Sequence, residues 1–296
     1  MRSLLVLAAL LSAAVHADAQ SGPRPVVTNG QVVDRPAPGG LAPTVARIAA
    51  GASDVVWVGY AVPMAAGDHR FCCVNSNDPD CCHGCTLEPT AKGGTKPTPS
   101  PGSRVQTVQL EPSATLVVLA RLEAGRVGRV RTFSDDCRLD AGGRTVHWLT
   151  GVRPADSVTW LTGLAGAAVG RRLSEGALTA LAFHAEPAAL DWLIGAARSG
   201  GSTHLRGQAL FWLSQRAGNR AVGAIAEAVQ RDPDTEVKKR AVFALSQLPR
   251  DEGVPRLIAI ARGHSNKAVQ KQAFFWLGQS KDPRALRFFS EILEPR

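Results

Sequence analysis

The sequence predicts an α+β chain in two parts: a small antiparallel β domain with a cysteine-rich segment, followed by an all-α solenoid of stacked helical units. Three observations predict it. An octamer near the end, QALFWLSQ at residues 208–215, returns as RAVFALSQ at 240–247 and as QAFFWLGQ at 272–279, each copy 32 residues after the last. A fixed period in this range is the signature of stacked helical repeats. Upstream, short apolar runs bounded by turn residues read as strands. Between these runs lie six cysteines, five of them within residues 72–85.

In chain order, Arg2, the apolar run 4–11 and Ala17-Asp18-Ala19 before Gln20 form a secretory signal pattern over residues 1–19. The apolar run falls far short of the ~20 residues a spanning helix needs. The expectation is an exported protein, periplasmic or extracellular, with no membrane span. Residues 20–43 are rich in Pro and Gly with little periodicity and read as a flexible lead. The β domain is expected over 44–150, with strand-like runs at 54–62, 104–110, 114–122, 126–133 and 144–149. The run ATLVVLARL at 114–122 is apolar on both faces, as suits a strand covered on both sides. Residues 89–103 have no hydrophobic pattern and read as a solvated loop.

The cysteines are Cys72, Cys73, Cys81, Cys82, Cys85 and Cys137. In an exported chain an even count argues for disulfides. The pairing stays open; one arrangement crosslinks the two doublets and ties Cys85 to Cys137. The alternative is a metal-binding or redox protein. Zinc would use Cys81, Cys82, His83 and Cys85 with the earlier pair, although the paired C-x-x-C knuckles of common zinc modules are missing. Cys82 and Cys85 form a formal C-x-x-C without the strand-to-helix context of a redox site. No metal or cofactor is expected.

Residues 151–296 hold the repeats. Ala209, Ala241 and Ala273 align, as do Phe211, Phe243 and Phe275, and Leu213, Leu245 and Leu277; Ala177 and Leu181 belong to an earlier, weaker copy. Further columns run Leu190, Val222, Val254, Leu286 and Leu193, Ile225, Leu257, Phe289. Apolar spacing within each unit is helical, and Asp282 before Pro283 is a good helix start. Each unit reads as a helix pair, the octamer helix coming first. The A-x-x-x-L helix, the D/N-P or Gly turn and the second helix resemble the HEAT-like repeat family, in particular the short type of phycobilisome lyases. The resemblance implies an α-solenoid with a binding or scaffolding role, and it does not carry over lyase chemistry.

The chain carries 34 Lys/Arg against 25 Asp/Glu, and most of the excess lies in residues 151–296. No H-E-x-x-H, G-x-S-x-G, phosphate loop or dinucleotide fingerprint is present, so an enzyme is not expected. His184, His204 and His264 near repeat ends are expected to cap helices or face solvent. Gln215, Gln247 and Gln279 are expected to hydrogen-bond neighbouring turn backbone; the alternative is a polar ladder presented to a ligand. The predicted binding surface is the second helices, which would line the concave face. There Trp160, Trp192 and Phe288 would anchor a polypeptide, with Arg220, Arg256, Arg284 and Arg287 beside them. The partner expected is a protein or peptide with an acidic stretch. Export argues against nucleic acid.

Overall fold

The computed structural model describes residues 23–67, 85–88, 113–166, 170–216 and 218–294. The first part contains β1 (Val26–Thr28), β2 (Gln31–Pro36), α1 (Leu41–Gly51), β3 (Val56–Pro63), β4 (Cys85–Thr86), β5 (Thr115–Glu123), β6 (Arg126–Ser134), β7 (Arg138–Asp140) and β8 (Thr145–Thr150). The run expected at 104–110, like the loop 89–103, lies outside the described residues.

Five strands form one sheet in the order β2-β8-β3-β5-β6. The sheet is mixed, not antiparallel: β8 pairs in parallel with both β2 and β3, while β5 pairs antiparallel with β3 and β6. The helix α1 between β2 and β3 is the crossover that parallel strands require. The lead expected to be flexible therefore holds β1, β2 and the start of α1. As an edge strand, β2 is held mainly by its backbone ladder to β8, so its sequence shows little apolar alternation. Pro43 in the first turn of α1 is harmless there. It obscures a helical stripe of Leu41, Val45, Ile48 and Ala49.

The sheet is covered on both faces, as the doubly apolar β5 predicts. On one side the short sheet β1-β7-β4 closes over Trp57, Val117, Leu119, Phe133 and Trp148 with Leu87 and Leu139. Gly59 lets Trp148 cross β3, because a Cβ there would stand 2.7 Å from Leu119 and 2.9 Å from the indole. On the other side α1 and the first repeat helices bury Val58, Tyr60, Val62, Leu116, Val118 and Val130.

Nine helices follow among the described residues: α2 (Pro154–Gly166), α3 (Arg171–Phe183), α4 (Pro187–Ser199), α5 (Thr203–Ser214), α6 (Asn219–Arg231), α7 (Thr235–Ser246), α8 (Arg250–Gly263), α9 (Lys267–Gln279) and α10 (Pro283–Leu293). One apolar core runs without interruption from the sheet into these helices. Gly176 in α3 lies so close to β6 that a Cβ would stand 2.3 Å from the Val130 carbonyl oxygen. The buried Tyr60 hydroxyl bonds the Ser157 hydroxyl of α2 at 2.9 Å. At the end of β3, the Ala65 N–H donates to the Phe183 carbonyl and the Ala185 N–H to the Pro63 carbonyl. The secondary structure changes near residue 150, but the core continues across it.

Among helices consecutive in the chain, the most extensive packing is α2–α3, α4–α5, α6–α7 and α8–α9. The octamer helix is thus the second member of each tight pair, not the first. Polar residues of the intervening turns join successive units. Ser202, Asp234 and Asn266 are the N-caps of α5, α7 and α9. Thr203 donates to Asp234 at 2.9 Å and Asn266 donates to Thr235 at 2.9 Å, tying each cap to the unit before it. Arg206 closes on the buried Asp232 at 2.9 Å and also donates to the Gly200 carbonyl.

Candidate interaction faces

Two sides of the helical stack present repeating side chains. On the first, α5, α7 and α9 lie directly against one another, whereas α4 meets α6, and α8 meets α10, less extensively. This side carries the octamer columns. The rings of Phe211 and Phe243 stack at 6.1 Å, only 3° from parallel. Trp276 continues the row, 5.0 Å from Phe243 and 5.0 Å from Phe275. Trp212 extends it backward, between Phe211 and Phe183. Phe275 is 53% exposed, so the row ends in an open ring.

One turn after each phenylalanine stands a glutamine. The Gln215 amide donates to Ser214 at 3.2 Å and that of Gln247 to Ser246 at 3.1 Å; the two serines in turn donate to the Phe211 and Phe243 carbonyls. The serine, not a neighbouring turn, orients the amide, whose carbonyl oxygen makes no bond among the described residues. Between Gln247 and Gln279 a cavity of about 260 Å3 opens, lined by Leu245, Leu248, Val254, Leu257 and Trp276. The Trp276 indole N–H is buried and has no hydrogen-bond partner among the described residues. Arg240 and Lys271, one turn before the phenylalanines, are exposed and form no ion pair there.

The second side carries the binding residues that the sequence suggested. Trp160 is half-buried, edge-on to Tyr60 at 6.2 Å. Trp192 is also half-buried, beside Gly166 at the end of α2. Phe288 is only 2% exposed and stacks on Phe274 at 5.7 Å, with the Arg262 guanidinium over its ring at 5.4 Å. It fills the core and presents no ring to solvent. The arginines are largely committed. Arg220 pairs with Asp191 at 2.5 Å, as Arg198 does with Glu227 and Arg262 with Glu291, each across 29 residues. Arg256 donates to the Glu252 carbonyl of its own helix. Arg284 is held by Asp282 at 2.8 Å and by the Arg250 carbonyl. Arg287 is exposed. The structure therefore strings these residues along the stack without gathering them into one open groove.

Cys72, Cys73, Cys81 and Cys82 lie outside the described residues. Cys137 is buried, 3.4 Å from the Ser134 hydroxyl. Pairing of β4 with β7 sets the Cys85 backbone opposite Leu139, on the same small sheet. Among the described residues no group of three or more His, Cys, Asp or Glu is placed to hold a metal, and no helix is long and apolar enough to cross a membrane.

Two of the three histidines turn inward. Burial, and then Arg216, lower the His184 pKa to about 4, and its Nδ1 accepts the Glu186 N–H. His264 is 7% exposed, its Nδ1 accepting the Asn266 N–H and its Nε2 lying 3.2 Å from the Val229 carbonyl. His204 faces Glu175 at 3.8 Å.

The family model described as HEAT repeats matches residues 222–295. Among solved structures, human deoxyhypusine hydroxylase in complex with glycerol is similar over 42% of this chain, with 21% identity and a TM-score of 0.34. The complex of CpcE and CpcF of phycocyanin lyase from Nostoc sp. PCC7120 is similar over 48%, with 16% identity and a TM-score of 0.37, and 91% of that chain is covered. A structure of Kap95p bound to RanGDP is similar over 47%, with 16% identity and a TM-score of 0.30. The chain spans 43% of the hydroxylase chain and 20% of the Kap95p-complex chain. No curated protein matches it. Residues 222–295 thus match HEAT repeats, and such repeats suggest a protein-interaction scaffold.

Proposed function

We propose that this chain is an exported, non-catalytic scaffold that binds an extended, acidic polypeptide along the α5–α7–α9 side of its HEAT-like repeats. One observation carries the reading: Phe211, Phe243 and Phe275 stand in register beside Gln215, Gln247 and Gln279, on helices packed directly one against the next. Phenylalanine supplies apolar contact at low entropic cost. A regularly spaced amide ladder suits the backbone groups of an extended chain, whose own hydrogen bonds are unmet. Packed helices stand roughly 8–10 Å apart, and an extended chain rises about 3.3 Å per residue. Each repeat would thus meet every third residue of the partner. Arg240 and Lys271 favour an acidic sequence and would act mainly on association rate. The leader pattern supports export.

The test uses peptides selected on the full chain from a displayed random library, with affinities read by fluorescence anisotropy. Phe275→Ala and Gln247→Ala should each weaken binding about tenfold or more, the range of interface hot spots. Arg220→Glu and Trp192→Ala, on the other side, should leave it unchanged. The reverse pattern would place the partner on the side first read from the sequence, and failure to select any peptide would end the proposal.

A further inference from the structure

We propose that the sheet region holds a second, separate binding site, for a small organic oxyanion such as an aryl phosphate or carboxylate. The site is a cleft of about 840 Å3 between the exposed edge of the five-stranded sheet and α1. Strands β2 and β8 form its floor, and one face of α1 with the turn after it forms a wall. In-register pairing of Gln31 with Thr145 and Val33 with His147 puts these side chains on the same face of two parallel strands. Three arginines are among the residues lining the cleft: Arg35 from β2, Arg47 from α1 and Arg144 just before β8. Among the described residues, Asp54 is the only acidic one lining it.

The cationic groups are prepared rather than neutralised. Arg47 and Arg144 form no ion pair among the described residues; Glu88 acts on Arg144 only at longer range. Arg35 donates from Nε to the His147 Nδ1 at 2.9 Å. That bond requires His147 to be neutral with its proton on Nε2. Burial, and then the charge of Arg35, lower the His147 pKa and favour this form. Held through Nε, Arg35 keeps both terminal nitrogens for a ligand, and paired terminal N–H groups suit the oxygens of phosphate and carboxylate. A cleft lined mainly by one sign of charge also concentrates counter-ions within it. Beside the arginines, Val33, Ile48 and Val56 give an apolar flank. A bare inorganic ion would leave that flank unused. Its size suits a small molecule, since such pockets run to roughly 300–1,000 Å3.

Calorimetric titration of the full chain tests this with phenyl phosphate, inorganic phosphate and neutral benzamide. Phenyl phosphate should bind one to one and more tightly than inorganic phosphate, and benzamide should not bind. Arg47→Gln, an exposed position on α1 where folding should be unaffected, and Arg144→Gln should each weaken phenyl phosphate about tenfold or more, the loss of one charge-assisted bond. Arg198→Gln, far along the repeats, should not. Absence of saturable binding, or equal weakening by Arg198→Gln, overturns the site. Equal affinity for the two phosphates overturns its organic specificity. Neither result bears on the peptide face, which lies on other helices.

Discussion

Gly176→Ala sets two effects of opposite sign against each other. Gly176 is inside α3, where alanine should favour the helix by about 1 kcal/mol. The new methyl would stand 2.3 Å from the Val130 carbonyl oxygen and 3.0 Å from its carbon. Ordinary contact begins near 3.4 Å, so α3 must retreat from β6 by about 1 Å. The obstacle is backbone and cannot rotate away. Overpacking of this kind costs roughly 1–3 kcal/mol, and a rigid obstacle puts the cost toward the upper end. The net expectation is a loss of about 1–2 kcal/mol. Gly223→Ala in α6 is the control, because nothing stands within 4 Å of a Cβ there. It should stabilise by up to about 1 kcal/mol. Urea unfolding followed by far-ultraviolet circular dichroism measures both. If Gly176→Ala stabilises as much as Gly223→Ala, α3 does not lie on β6 and the continuous core is refuted.

Three further outcomes follow from the same structure. His184 has a folded pKa of about 4, below its ordinary value, through burial and then Arg216. The unfolded chain takes up this proton first, so the stability is complete above pH ~6.5 and is lost as pH falls toward 4, by at most about 3 kcal/mol. His184→Gln should flatten that part of the pH–stability curve; an unchanged curve would assign it elsewhere. Phe288→Ala should cost about 3–5 kcal/mol in chemical unfolding, as for a core ring, and a loss below about 1 kcal/mol would return Phe288 to the surface. Mass spectrometry of protein from the native host should find a chain starting near Gln20 with few free thiols, whereas an intact Met1 with free thiols would remove export and disulfides together.

The parts legible in the sequence were those fixed by local chemistry. The Asp282-Pro283 start, the 32-residue columns and the β5 and β6 runs all fall within a residue or two of the observed elements. Pairing direction was not legible, because it depends on a crossover helix whose first turn contains a proline. A repeat also fixes spacing without fixing phase. The same columns fit a unit that begins at either helix, and only the packing of consecutive helices in the fold separates the two. The columns likewise showed which positions recur but not which face solvent. Phe288 is buried because Phe274 of the preceding helix covers it, and Arg220 is occupied by a carboxylate 29 residues away. The cleft beside α1 gave no motif, since Arg35, Arg47 and Arg144 meet only after the sheet has formed.

The proposed face can be tested directly by photo-crosslinking in the native host. Benzoylphenylalanine would replace Gln247 in one full-length chain and Arg220 in another, both being exposed positions on opposite sides of the stack. Irradiation should give a discrete protein adduct from position 247 and none from position 220. An adduct from position 220 alone would contradict the assignment of the partner to the α5–α7–α9 side.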